Sequence, residues 1–285
     1  MKKTVFTILF FLSFTISKSQ TFDWVASIST GVVIGGSQFI VSDNNGHIYV
    51  TGSFAGSLIF PGPGGLNDTI FSVGGDDFYI AKLDTSGNFI WCKSIGVANG
   101  FIGAFPISFS NGSLYLTGTF SDSIDIDLGI GISILYADSG MRDAFICKVD
   151  TAGNLVWVKE FNGNDPGISP IGYPKNYLDK FGNIYLNIML NDTIDLDPGV
   201  SDSIFYPSNS TYKRQVIAKY DSNGNFMWGR GYDNIFSDGF AFGYSYIGSD
   251  NLQNIIGGGH FDGQIDLDPG TGTTIIYDTI TTVGL

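Results

Sequence analysis

The sequence predicts an all-β fold, specifically a β-propeller of four-stranded antiparallel blades, and three observations predict it. The phrase Asp84-Thr85-Ser86-Gly87-Asn88-Phe89-Ile90-Trp91 returns as Asp150-Thr151-Ala152-Gly153-Asn154-Leu155-Val156-Trp157 and as Asp221-Ser222-Asn223-Gly224-Asn225-Phe226-Met227-Trp228, the copies lying 66 and 71 residues apart. A fixed period of that length marks one supersecondary unit stacked on copies of itself, because a single unit cannot bury its own apolar face. The apolar runs, such as 48–50 and 78–83, are short, β-branched and aromatic, with Gly, Asn and Asp clusters at their ends. Finally, 39 Gly, 24 Phe and 14 Tyr against only 14% charged residues suit many short strands joined by tight turns.

Residues 1–19 read as a secretory signal peptide: Lys2 and Lys3 precede a mostly apolar stretch from Val5 to Ile16, and Ser17 and Ser19 supply small residues before Gln20. The stretch is short of the ~20 residues that span a bilayer. Its removal, with Lys18, takes the net charge from −13 to −16. An acidic surface of this size disfavours nucleic acid and anionic membranes, which need clustered cations. The expected product is soluble, secreted or at the cell surface, without membrane insertion after cleavage.

From residue 20 to 285 the chain is expected to be one repeat domain. Phe22-Asp23-Trp24-Val25 looks like a lone strand D (22–27) ahead of the first complete blade. The first blade (38–95) then reads as strand A at 39–42, a turn at Asp43-Asn44-Asn45-Gly46, strand B at 48–54, strand C at 78–83, a turn at Asp84–Gly87, and strand D at 89–94. Each turn places Asp at its entry, where the carboxylate bonds backbone N–H groups two residues on, and Gly where positive φ is needed. Alternation puts Ile80, Lys82 and Asp84 on one face and Tyr79, Ala81 and Leu83 on the other.

The A–B phrase recurs around Ser110-Asn111-Gly112 with Tyr115, Asp179 to Tyr185, and, worn, Asp250 to Phe261. Blades at 104–161 and 174–232 follow, with an incomplete one from 243 to 285. Between strands B and C each blade carries an insert of about 20 residues, expected to open with a primed hairpin turn (Ala55-Gly56, Ser121-Asp122, Asn191-Asp192, Asp262-Gly263) and to form an extra ribbon continuing the blade. Units of this kind arranged radially make a propeller. A β-solenoid is the main rival, although its coils are shorter, at roughly 20–30 residues. A tandem array of immunoglobulin-like domains is weaker, since ~70 residues is short for such a sandwich.

The Asp-x-x-Gly-Asn-x-Tyr, Asp-x-Asp-Pro-Gly and Lys-x-Asp-x-x-Gly-Asn-x-x-Trp phrases, recurring in one order from Trp24 to the C-terminus, resemble the seven-bladed β-propeller repeats (SBBP repeats) of secreted bacterial proteins. The resemblance implies an exported or surface propeller, often part of a longer polypeptide, and brings no catalytic residue with it. Three full blades and a split fourth without strand C do not make a comfortable ring, so a truncated chain is expected. The alternative is a strained four-bladed ring.

The strongest site candidates are the Asp-x-Asp pairs of the inserts: Asp125 and Asp127, Asp195 and Asp197, Asp266 and Asp268. Residues i and i+2 of a strand share a face, and two carboxylates with turn carbonyls begin a Ca²⁺ site. The competing reading, which we prefer, makes the second Asp the start of an Asp-Pro-Gly turn; the first insert, Leu58 to Gly62, has Pro-Gly and no acids. No cofactor is therefore expected, with Ca²⁺ kept as the alternative.

Trp91, Trp157 and Trp228, with Tyr49, Tyr115 and Tyr185, are read as inter-blade packing in preference to a carbohydrate-binding face. Lys82, Lys148 and Lys219 are read as local charge pairing or solvated residues. Cys92 and Cys147 stand at different repeat positions and are expected as buried free thiols, although the compartment permits a disulfide. The Asn67, Asn111, Asn191 and Asn209 acceptor patterns are read as turns. His47 and His260 are non-equivalent and no nucleophile motif accompanies them, so no enzyme is expected. The functional expectation is a non-catalytic binding or scaffold module for a protein or glycan ligand. The alternatives are a secreted carbohydrate-active enzyme that uses propeller carboxylates and a purely architectural module of a larger exported protein.

Overall fold

The computed structural model describes residues 29–30, 39–61, 67–98, 102–137, 142–162, 171–190, 193–199, 201–206, 214–236 and 246–250, and in the last repeat 252, 254–258, 264–266, 268, 272 and 274–277. The expected signal peptide, the strand expected at 22–27, His260 and the turns at Asn191-Asp192 and Asp262-Gly263 lie outside the described residues. Among the described residues every regular element is a β-strand, and no helix is long and apolar enough to cross a membrane.

After β1 (Ser29–Thr30), the first repeat contributes β2 (Phe39–Ser42), β3 (Ile48–Phe54), β4 (Ser57–Pro61), β5 (Asn67–Phe71), β6 (Asp77–Leu83) and β7 (Phe89–Ile95). The second contributes β8 (Ile102–Ser110), β9 (Ser113–Phe120), β10 (Ser123–Asp125), β11 (Ile134–Tyr136), β12 (Asp143–Asp150) and β13 (Leu155–Phe161). In the third follow β14 (Ile171–Leu178), β15 (Ile184–Leu190), β16 (Ile194–Asp195), β17 (Ile204–Phe205), β18 (Arg214–Tyr220) and β19 (Phe226–Phe236). The fourth has β20 (Tyr246–Ser249), β21 (Ile255–Gly258), β22 (Gln264–Asp266) and β23 (Ile275–Tyr277).

The expected strands A to D of the first repeat are β2, β3, β6 and β7, hydrogen-bonded antiparallel in that order. The sheets β8-β9-β12-β13 and β14-β15-β18-β19 repeat the arrangement. Each C–D hairpin carries a register shift one residue before its turn, at Lys82/Leu83, Lys148/Val149 and Lys219/Tyr220. That shift is the bulge of a three-residue loop ending in a left-handed residue, which is why Gly87, Gly153 and Gly224 have φ of +81°, +79° and +77°.

The inserts differ from expectation. β3 and β4 do not pair, because the edge of β3 beyond β2 is taken by β6. The corner Ala55-Gly56 is not a primed turn either: such a type I′ turn needs positive φ at both residues, and only Gly56, at +79°, has it. Asp122, at +67°, is likewise alone in its corner. Each insert forms the two-stranded ribbon expected of it, β4-β5, β10-β11, β16-β17 and β22-β23, but not as a continuation of its own sheet. Two ribbons pair with a strand that precedes their own repeat and not with their own sheet: the first with β1 and the fourth with β19 of the third repeat. Ser29 and Thr30 pair with Ile59 and Leu58, and Asp233 and Asn234 pair with Asp266 and Ile265. These are equivalent positions, so β19 runs on past the expected end of its blade at 232 to hold the next ribbon.

The three sheets pack face to face in succession. The first and second enclose Tyr49, Phe78, Ile80, Ile95, Leu114, Leu116, Phe145, Cys147 and Val149. Between the second and third lie Tyr115, Ala144, Ile146, Phe161, Ile184, Leu186, Val216, Ala218 and Tyr220. Large side chains on one sheet meet small ones on the next, and fully burying a large apolar side chain is worth about 1.5–3 kcal/mol. The first strands of successive repeats also touch: β2 with β8, β8 with β14, and β14 with β20.

Candidate functional site

The A–B turns are self-braced. Asp43 Oδ1 accepts the N–H groups of Asn45 and His47 at 2.8 and 2.9 Å, while its Oδ2 meets His47 Nδ1 at 2.9 Å and the Tyr49 hydroxyl at 3.2 Å. Asp179 repeats the pattern with Phe181, Asn183 and Tyr185. The spacing of Asp and Tyr in the A–B phrase thus joins the turn to the core. Burial opposes the Asp43 charge, but the hydrogen bonds from His47, Asn45 and Tyr49 outweigh it and hold the carboxyl below its ordinary range. The second repeat solves the turn differently: Asn111 and Gly112, with φ of +48° and +75°, make a two-residue primed hairpin, and Ser110 replaces the acid.

These turns converge. Asn44 from the first repeat, Phe109, Ser110 and Asn111 from the second, and Leu178, Asp179 and Lys180 from the third line one cleft of about 270 Å³. The strands that lead into these turns are tied across repeats, since Ser108 Oγ donates to Asn176 Oδ1 and Asn176 Nδ2 donates to the Tyr115 carbonyl at 3.3 Å. Amides, a hydroxyl, an ammonium and one aromatic edge can hydrogen-bond and stack on a polar ligand. Sequence reasoning did not assemble this set, because contact between equivalent turns depends on how the sheets lie beside one another.

The Asp-x-Asp pairs are spread out, one pair per ribbon, and they act as turn acceptors. Asp125 Oδ1 takes the N–H of Asp127 at 3.1 Å and of Ser133 at 2.9 Å, and Asp127 Oδ1 takes that of Gly129 at 2.7 Å. Asp195 and Asp197 do the same with Ser203 and Gly199, and Asp266 bonds Asp268 and Thr274. A Cβ at Gly131 or Gly272 would sit 2.2 or 2.1 Å from Oδ2 of Asp127 or Asp268, so a larger residue there would have to displace that carboxylate. Ile124, just before the pair, and Ile126, between its acids, are buried, as alternation requires. Among the described residues no group of three or more metal-ligating side chains forms.

The Tyr and Trp of the repeats pack against each other with ring centroids 6.1–6.2 Å apart: Tyr49 with Trp91, Tyr115 with Trp157, Tyr185 with Trp228. Over each tyrosine lies the strand C lysine, Lys82 at 5.3 Å, Lys148 at 5.4 Å and Lys219 at 4.9 Å. Two of these lysines also reach across to the next repeat. Lys82 Nζ donates to the Thr151 carbonyl at 3.3 Å and Lys148 Nζ to the Ser222 carbonyl at 3.4 Å, a role that sequence reasoning missed. Lys93 adds a bond to the Gly153 carbonyl at 3.1 Å.

Cys92 and Cys147 are free thiols, and burial pushes both up to about 12, far from nucleophilic use. Glu160 was not foreseen. Burial, then the charge of Asp143, pushes its carboxyl up to about 7, and its buried Oε1 has no hydrogen-bond partner among the described residues. No protein-family model matches this chain, and no curated protein matches it.

Proposed function

We propose that this chain is an exported β-propeller serving as a non-catalytic binding or scaffold module for a protein or glycan, with the A–B turn rim as its binding face. The observation that carries the reading is the single cleft built from three successive A–B turns, Asn44, Asn111 and Lys180 among them. Four-stranded sheets of one design, packed face to face with their first strands adjacent, support a radial arrangement. The resemblance to SBBP repeats supports export. The inserts, on this reading, need no calcium. A glycan array, run with a hydrolysis assay on each hit, tests the function. Saturable binding without turnover that weakens in Asn44→Ala and Lys180→Ala is expected, and product release overturns it. Small-angle scattering tests the architecture, and an elongated particle would overturn the propeller.

A second reading, a carbohydrate-active hydrolase, rests on Glu160. A carboxyl raised towards neutrality beside a second acid suits a proton donor. Hydrolysis abolished by Glu160→Gln would favour it.

A further inference from the structure

Three Asn-Gly pairs, Asn45-Gly46, Asn111-Gly112 and Asn223-Gly224, lie in described hairpin turns; Asn99-Gly100 and Asn162-Gly163 reach outside the described residues. The asparagine is exposed in each of the three. The turns that carry them are not alike. In the first repeat the Asn45 N–H donates to Asp43 Oδ1 at 2.8 Å and the Gly46 N–H to the Asp43 carbonyl at 3.1 Å. Asp221 holds Asn223 and Gly224 in the same way, at 2.8 and 3.0 Å. A Cβ at Gly46 would stand 2.8 Å from the Thr85 methyl, and one at Gly224 3.0 Å from the Trp157 ring, so neighbouring side chains lie over both glycines.

Asn111-Gly112 has none of these restraints. Ser110 stands in place of the bracing acid, and among the described residues the Asn111 and Gly112 N–H groups make no hydrogen bond. Beyond its chain neighbours, nothing lies within 4 Å of a Cβ built at Gly112. The loop is held only by the ladder at its base, where Ser110 pairs with Ser113 and Phe109 with Leu114. The Asn111 side chain reaches the turn of the third repeat, since a Cβ at Gly182 would stand 3.1 Å from its Nδ2. It also lines the cleft that Lys180 lines.

We propose that Asn111-Gly112 is a site of spontaneous deamidation, from which the fold protects Asn45 and Asn223. The Gly112 amide gives up its proton to base, and its nitrogen attacks Asn111 Cγ. A bond from that nitrogen to Cγ forms, the Cγ–Nδ2 bond breaks, and ammonia leaves. Water then opens the five-membered imide at one carbonyl or the other, giving aspartate or isoaspartate. One water is consumed and one ammonia released, with no change of oxidation state. Attack requires the loop to leave its folded geometry, so the bonds that must open first control the rate. The two amide bonds of each acid-braced turn should slow it about tenfold. The product is a carboxylate, ionised at neutral pH, in the cleft that holds the Lys180 ammonium. Isoaspartate also lengthens the backbone of a two-residue loop. The cleft therefore changes charge as the molecule ages, whether or not it is the binding face.

Ageing the 285-residue chain in warm, mildly alkaline buffer, followed by digestion and tandem mass spectrometry, tests this. A urea-unfolded sample gives the rate of each pair without the fold. The ratio of folded to unfolded rate should be about tenfold higher at Asn111 than at Asn45 or Asn223. Isoaspartate should accumulate at position 111 together with the mass gain. Asp221→Ala, its fold checked by circular dichroism, should speed the reaction at Asn223 several-fold and leave Asn111 unchanged. Equal ratios at the three sites, a higher ratio at Asn45 or Asn223, or an unmodified Asn111 overturns the proposal. So does an Asn223 that stays protected in Asp221→Ala, or a mass gain at Asn111 without isoaspartate, which would mean direct hydrolysis without attack by Gly112.

Discussion

In the second repeat Tyr115 lies at 1% exposure between two sheets, whereas Ile256, at the equivalent place in the fourth, is 59% exposed. Both follow a short turn that opens the second strand of their repeat, and both strands form next to a first strand. The difference lies in what covers them. β9 has β12 at its edge and the third sheet against its tyrosine face, while β21 has neither among the described residues. The comparison separates what a repeat does by itself, which is to make turns and a hairpin, from what it does only between neighbours, which is to bury its aromatic face.

The largest test of that separation is truncation at the equivalent positions. Tyr115→Ala should cost about 3–5 kcal/mol in denaturant unfolding, the usual loss for a large buried aromatic, and Ile256→Ala less than about 0.5 kcal/mol. Equal losses would mean that the fourth repeat is packed like the second. The lysine bridge gives a smaller contrast. Lys82→Met removes a donor from the Thr151 carbonyl and should cost about 1–2 kcal/mol, whereas Lys219→Met, which among the described residues breaks no bond to a following repeat, should cost under about 0.5 kcal/mol.

A pH titration sharpens the comparison within the second repeat. Folding raises the Glu160 carboxyl from 4.5 to about 7, so the folded state holds a proton that the unfolded state has lost in that interval. Stability from this group is therefore greatest below 4.5 and declines as pH rises towards 7. Glu160→Gln should flatten that decline in melting temperature measured from pH 4 to 8. Asp150 and Asp221 work in the opposite sense. Burial opposes their charge, but bonds from Asn154 and Asn225 lower both carboxyls below 3.8, so their contribution is present above 3.8 and lost on further acidification. The smallest expected effect is that of calcium. With the first oxygens of Asp125, Asp195 and Asp266 committed to ribbon amides, millimolar Ca²⁺ followed by a chelator should leave the melting temperature unchanged. A reversible rise would restore these aspartates as ligands.

Much of the fold was legible because it is local. A turn such as Asp84 to Asn88 closes through bonds to residues two and four places on, and its glycine must adopt a left-handed backbone whatever surrounds it. Strand limits at 39–42 and 48–54 followed from those turns. The ribbons of the inserts were foreseen but not their attachment, because a strand near its own sheet had two edges to choose from, and the fourth ribbon took the edge of β19 in the third repeat. Within the candidate site, the Asp-x-Asp pairs were visible as motifs, while the cleft at Asn44, Asn111 and Lys180 was not, since those residues lie some 67 and 69 positions apart.

By itself, then, the sequence determined the strands, the hairpin turns and the apolar faces, since short-range hydrogen bonding and alternation specify them residue by residue. Tertiary structure alone decided that Lys82 and Lys148 bridge to the following repeat, that the fourth ribbon attaches to β19, and that A–B turns meet in one cleft. The physical reason is that an unpaired edge, a lysine or a turn carbonyl is satisfied by whatever group the packing of whole sheets brings within about 3 Å.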